Sequence, residues 1–202
     1  MTINPGDMRH RLSVLSLTER ADGQGWEWSE MRRTWAAAEQ TGRRSLFSSY
    51  GEGREEWKLT LRRQALSRHQ AIRMGGAFLY LTEITQQPNE RGWMTVRAAA
   101  IEPVDCAVER RAAALDPVYL RPRLTSTGEV HFPALLTEKY VRMTEGMPND
   151  RTARGYILVT PKAVSLSAGE LVCVRGDKWR VQIAHELEDY RNEYEILREE
   201  DL

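Results

Sequence analysis

The chain has 202 residues, 41% hydrophobic and 29% charged, with 29 Lys+Arg balanced by 29 Asp+Glu. That composition is ordinary for a globular chain with a core and excludes global disorder. A dedicated nucleic-acid binder normally shows a clear basic excess, which is absent. No apolar run is long enough to span a bilayer, and residues 1–7 lack a basic-then-apolar leader, so the expectation is a chain that stays where it is made and touches no membrane.

Charge is divided along the chain: residues 1–113 hold 17 Lys+Arg against 14 Asp+Glu, or +3, and the remainder 12 against 15, or −3. Opposite halves suit head-to-tail or stacked association. Arginine dominates the cations, with only Lys58, Lys139, Lys162 and Lys178 as lysines, and its planar fork suits protein interfaces. The two cysteines, Cys106 and Cys173, read as free thiols, one in each half, and neither has a second cysteine or a histidine at metal-ligand spacing.

In chain order, residues 11–17 predict a first strand, ended by the turn-forming Asp22-Gly23-Gln24-Gly25. Trp26 and Trp28, two apart, share one face if extended. Residues 34–39 predict a second strand. Residues 40–54 are polar and punctuated by Gly42, Gly51 and Gly53, reading either as a short helix with flanking turns or as a long loop. Strands resume at 57–63, with Trp57, Leu59 and Leu61 facing in, then at 78–84 and 94–98. Pro103 followed by an alanine-rich run to Leu115, stopped by Asp116-Pro117, predicts a helix. Residues 119–124 read as extended and 135–143 as a short helix, with strands at 156–160, 171–174, 179–183 and 193–197.

An internal repeat is visible: Gly76-Ala77-Phe78-Leu79-Tyr80-Leu81-Thr82-Glu83-Ile84 parallels Gly176-Asp177-Lys178-Trp179-Arg180-Val181-Gln182-Ile183 at a shift of one hundred, each leading through Asn89-Glu90 or Asn192-Glu193 to a last strand. The expected fold is mainly β: two small open β-barrels in tandem, residues 1–102 and 117–202, joined by a helical connector at 103–116. Trp35, Trp57 and Trp179 are expected to anchor the cores.

Chemistry is sparse. His10, His69, His131 and His185 lie far apart, no phosphate-binding loop, nucleophile elbow or His-Glu-x-x-His stands in the sequence, and the acidic groups near 186–189 and 199–201 read as a solvated face. The reading is that the chain is not an enzyme and has no cofactor, with a small-barrel nucleic-acid-binding protein, or a hydrolase whose site the sequence hides, as the alternatives.

Pro5-Gly6-Asp7-Met8-Arg9-His10-Arg11-Leu12, then Thr34-Trp35-Ala36-Ala37-Ala38, then Leu59-Thr60-Leu61-Arg62, then the glycine–aromatic hairpin from Gly75 to Ile84 follow one another in an order that resembles the phage head-tail joining, or head-closure, family, from Asn4 to about Glu109. Members of that family are single small domains, and here about ninety residues follow. The resemblance implies a structural protein of the virion neck, present in the host cytoplasm during assembly. Its copies would form a homo-oligomeric ring, with a portal or adaptor protein above and a tail terminator or tail protein below. On this reading the stretch 40–54 faces the lumen: Arg43, Arg44 and Arg54 would meet packaged DNA without reading its sequence, and Leu46, Phe47 and Tyr50 would pack against neighbouring copies.

Overall fold

The computed structural model of the chain describes residues 5–45, 53–86, 92–115, 121–138, 155–185 and 188–198. After a 3-10 turn at Pro5–Asp7, these residues form twelve strands. Six build a first barrel: β1 (His10–Glu19), β2 (Trp26–Ser45), β3 (Gly53–Arg62), β4 (Gln70–Met74), β5 (Ala77–Thr85) and β6 (Trp93–Ala100). The others are β7 (Val104–Leu115), β8 (Pro122–Glu138), β9 (Tyr156–Pro161), β10 (Leu171–Val174), β11 (Asp177–His185) and β12 (Arg191–Arg198). Both sheets are antiparallel and closed, in the orders β1-β2-β3-β6-β5-β4 and β7-β8-β9-β12-β11-β10.

The cause is the two-residue period of side chains along each strand. In the first barrel Leu12, Ala36, Leu59, Leu61, Ile72, Leu79, Leu81, Met94, Val96 and Ala98 point inward and are almost wholly buried. The second core holds Cys106, Val108, Phe132, Leu158, Val172, Trp179, Tyr194 and Ile196. The segments between β3 and β4 and between β9 and β10 lay Leu66 and Leu166, respectively, against these cores. In the second, Tyr194 Oη accepts from the Leu166 N–H at 3.0 Å, and Asn192 Nδ2 donates to the Val164 carbonyl at 2.9 Å. Buried polar groups so paired hold the crossing segment in one position.

Several expectations are corrected. The helix expected over 103–115 is β7, a strand of the second barrel. Its alanines favour helix, but Val104, Cys106 and Val108 alternate with exposed Asp105 and Glu109, and both edges find partners, β8 and β10. Only Ile101, Glu102 and Pro103 separate the two sheets. The described part of the helix expected at 135–143, Leu135 to Glu138, belongs to β8, and residues 139–143 lie outside the described residues. The barrels are closed, not open, because β4 and β10 pair back onto β1 and β7. Trp35 is 55% exposed and anchors no core: Ala36 takes the inward phase, so its neighbour faces out. Trp57 is partly buried against the first core, and Trp179 is buried in the second, edge-on to Tyr156 with ring centroids 4.9 Å apart.

The cysteines do not divide between the halves: both lie in the second barrel, on adjacent strands. Cys106 stands opposite Val174 and Cys173 opposite Ala107, one register step apart, and both are free. Cys106 points into the core, where burial pushes its thiol up to about 12. A thiol reagent at mildly alkaline pH is expected to label Cys173 in the native protein and Cys106 only on unfolding; equal labelling of both in the folded state would contradict the assignment. An unfolded cysteine ionises near pH 9 and this one near 12. The unfolded chain therefore loses its proton first, and this group makes stability fall as pH rises across that window.

The repeat extends over the whole fold. The strand order of one barrel is that of the other, and the registers agree except that the bulge after Val14 in β1 falls two positions later in β7, after Arg110. Leu12 opposes Met74 as Cys106 opposes Val174, and Ala36 opposes Leu61 as Ala134 stands one step from the Leu135–Val159 pair. Bulges fall between Leu81 and Glu83 and between Val181 and Ile183, at the same point of the same hairpin. Gln70 Oε1 accepts from the Ser67 N–H at 3.1 Å, as Glu170 Oε2 accepts from the Ser167 N–H at 2.6 Å. The two hairpin turns differ: Gly75 alone has positive φ in the first, whereas Arg175 and Gly176 both do in the second, the patterns of type II′ and type I′ turns. Asn192 lies within β12, whereas Asn89-Glu90 lies outside the described residues, so the repeat stands on the strands and not on that pair.

Candidate functional site

Two features stand outside the cores: the far end of the β2–β3 hairpin and the junction between the barrels. In the hairpin, residues 40–45 and 53–54 are neither helix nor loop. Arg43 stands opposite Glu55, Arg44 opposite Arg54 and Ser45 opposite Gly53, so the ladder of β2 and β3 continues past the barrel body. The register brings Arg44 and Arg54 together and sets Arg43 beside an acidic position. Leu46, Phe47 and Tyr50 lie outside the described residues.

The junction is built from both sheets. Leu15, Ala71, Phe78, Tyr80 and Ile101 form one buried cluster with Leu135, Ile157, Val159 and Tyr190, and Trp28 packs on its edge. The Trp28 and Phe78 rings lie 5.8 Å apart, and Tyr80 and Tyr190 stack at 6.4 Å. Burial raises the Tyr80 hydroxyl well above the ordinary tyrosine value and moves the Tyr190 hydroxyl in the same direction. Trp26, on the first barrel's β2, packs against the second barrel's core, so the Trp26–Trp28 pair faces its neighbour across the junction. At one edge the backbones meet: the His131 N–H donates to the Gln24 carbonyl at 2.9 Å and Gly25 bridges to His131.

Beside this cluster is a cleft of about 350 Å³, walled by Trp28, Phe78, Tyr80 and Tyr190 and edged by Arg68, His69 and Lys162. The Arg68 guanidinium lies 4.2 Å from the centre of the Tyr190 ring and within 3.9 Å of Glu188 and 3.5 Å of Asp189. The acidic stretch expected to be a solvated face is therefore partly engaged across the junction, through ion pairs exposed enough to contribute little stability. Lys162 Nζ donates to Asn192 Oδ1 at 2.9 Å, which fixes the cation at the cleft wall.

Among the described residues no three His, Cys, Asp or Glu side chains converge where they could hold a metal ion. His131 lies 3.8 Å from Glu129 and His185 3.3 Å from Glu195, each a separate pair on the second barrel. The junction residues were hidden in the sequence because Arg68 and Asp189, or Tyr80 and Tyr190, meet only through the fold. The shared Leu-Ser-x-x-Gln/Glu at 66–70 and 166–170 is the one local signal that marks this edge of each barrel. No protein-family model, no curated protein and no solved structure matches the chain.

Proposed function

We propose that the protein is a structural connector in the neck of a tailed phage or phage-like particle, forming a ring under the portal that seals the filled head and docks the tail. The observation that carries this reading is the placement of the segments resembling head-closure proteins. Arg11-Leu12, Thr34 to Ala38, Leu59 to Arg62 and the Gly75 hairpin become β1, β2, β3 and β4–β5 of one barrel. The rest of the chain builds the same barrel again. A protein that repeats a β module and leaves sheet faces uncovered is suited to assembly, since neighbouring copies can cover them.

On this proposal the β2–β3 hairpin points toward the lumen, and its arginine positions 43, 44 and 54 meet the DNA backbone. Negative-stain images of the purified protein, alone and with particles, are expected to show a ring in the neck. Particles carrying a deletion of residues 43–53 are expected to assemble but leak their genomes. Particles with that deletion that keep their DNA and join tails normally would remove the closure role. Strong salt-dependent DNA binding by a monomer, with no ring in any particle, would favour a small-barrel nucleic-acid-binding protein instead.

A further inference from the structure

The duplication allows the barrels to be compared position by position. Ala37 opposes Thr60 as Leu135 opposes Val159; Lys58 takes the place of Ile157; and Arg62 opposes Trp93 as Pro161 opposes Arg191. Within one chain the first barrel docks through a face that includes Leu15, Ala71 and Phe78, and the second through a face that includes Leu135, Ile157 and Val159. Each face has counterpart positions on the opposite barrel where, among the described residues, Trp35 and Leu171 remain exposed.

The counterpart of the Leu135 face lies on the first barrel at Ala37, Lys58 and Thr60. Beside them stands Trp35, which opposes Arg11 as Pro133 opposes Asp105. Trp35 is 55% exposed. The counterpart of the Ala71 face lies on the second barrel at Leu171, with Glu109 in the place of Leu15 and Lys178 in that of Phe78. Leu171 is 36% exposed and lines an open cleft of about 660 Å³ with Glu109, Glu170 and Lys178. Gln70 and Phe78, the counterparts of Glu170 and Lys178, line the cleft at the junction within the chain.

We infer that the Trp35 face of one copy docks on the Leu171 face of the next, repeating between chains the contact that joins the two barrels within one. The two faces are complementary. Ala71 and Leu135, both members of the internal cluster, become Leu171 and Ala37, so the larger side chain changes sides. Leu15 and Ile157, both members of the same cluster, become Glu109 and Lys58, residues of opposite charge. Residues 1–102 carry 15 Lys+Arg against 12 Asp+Glu, or +3, and residues 103–202 carry 14 against 17, or −3, so each junction sets a positive barrel against a negative one.

Glu109 is already held by Arg111 at 2.7 Å, and Lys58 lies 3.9 Å from Glu39. Both charges must shed water and share these partners at the junction, which makes it weaker and more salt-sensitive than the internal one. Two elements do not recur: Lys178 in the place of Phe78 removes the ring contact made with Trp28, and Arg123 stands where the first barrel has Gly25, so the backbone bridge to the position of His131 is missing. A head-to-tail contact of two different faces builds a closed ring when its rotation closes. This inference rests on the reading of the protein as a self-assembling connector and names the surfaces that reading needs.

The test uses the full chain, with mass measured by sedimentation as concentration rises. The wild type is expected to grow beyond its 23.3 kDa monomer. Trp35→Glu and Leu171→Asp are each expected to weaken self-association at least about tenfold, as loss of a central contact does, with circular dichroism unchanged. Lys58→Glu supplies a third variant whose altered side chain is not part of either core. Each blocked variant keeps one intact face, so an equimolar mixture of Trp35→Glu and Leu171→Asp is expected to form dimers and nothing larger. Rings that persist in both variants would overturn the inference and leave the connector reading standing. A mixture that stays monomeric, or loss of assembly in one variant only, would overturn it in favour of a face pairing with its own copy. A wild type that remains monomeric at every concentration, with no ring in particles, would overturn both.

Discussion

Replacing Gly25 with alanine is expected to part the two barrels while each stays folded. Gly25 has φ +127°, in the left-handed region that favours glycine, and an added Cβ would overlap the His131 backbone at its carbonyl oxygen. Strain in that region alone costs about 1–3 kcal/mol for a residue with a side chain. The overlap cannot be relieved by a rotamer, because the obstacle is backbone. The neighbouring bond from the His131 N–H to the Gln24 carbonyl is lost with it. Hydrogen exchange is expected to speed up at His131 and at the junction, with the ladders of both barrels still protected. Thermal unfolding is expected to separate into two transitions. A single transition at the wild-type midpoint would show that the bridge contributes nothing to how the barrels are held.

The second large effect is expected from Trp179→Ala. Trp179 is 7% exposed in the core of the second barrel and meets Tyr156 edge-on. Truncating a buried tryptophan costs about 3–5 kcal/mol. For a chain of this length that lowers the midpoint by roughly 6–20 °C. Among the described residues its buried indole N–H has no hydrogen-bond partner, so the loss is set by packing. Trp35→Ala is the control: with the side chain mostly in solvent, the monomer's midpoint is expected to move by less than about 2 °C, in line with the small effect of surface substitutions. If the two tryptophans gave equal losses, the inward and outward phases assigned to β2 and β11 would be wrong.

The contrast between these tryptophans shows where the sequence was readable. Leu59-Thr60-Leu61 and Trp179-Arg180-Val181 alternate cleanly, and their inward faces follow from period alone. Trp35-Ala36-Ala37-Ala38 offers apolar residues in both phases, so periodicity could not choose, and the barrel interior took the small residues. Residues 103–115 misled for a different reason: Arg110 to Leu115 suits a helix locally, yet pairing with β8 and the inward alternation at 104–108 outweigh that preference. The strand β4 carries little periodic signal, because it has only five residues before the Gly75-Gly76 turn. The repeat was legible in one hairpin, and its extent was not, since Cys106 and Leu12 share a position without sharing chemistry. The candidate surfaces were the least legible part. Lys58 and Glu109 acquire meaning only when the structure shows which apolar residues stand in their places on the opposite barrel.

The three residues between β6 and β7 have a consequence for how the internal junction behaves. Two bodies tied by so short a tether meet at an effective concentration in the millimolar range or above, whatever the amount of protein in solution. Their contact is therefore a unimolecular opening and reclosing, insensitive to dilution, and it needs little intrinsic affinity to stay shut. Any contact between chains has no such tether and must be formed against the loss of translational freedom. Dilution thus acts on contacts between chains and spares the one within a chain, so an assembly of the proposed kind would come apart into intact pairs of barrels before a single barrel was released.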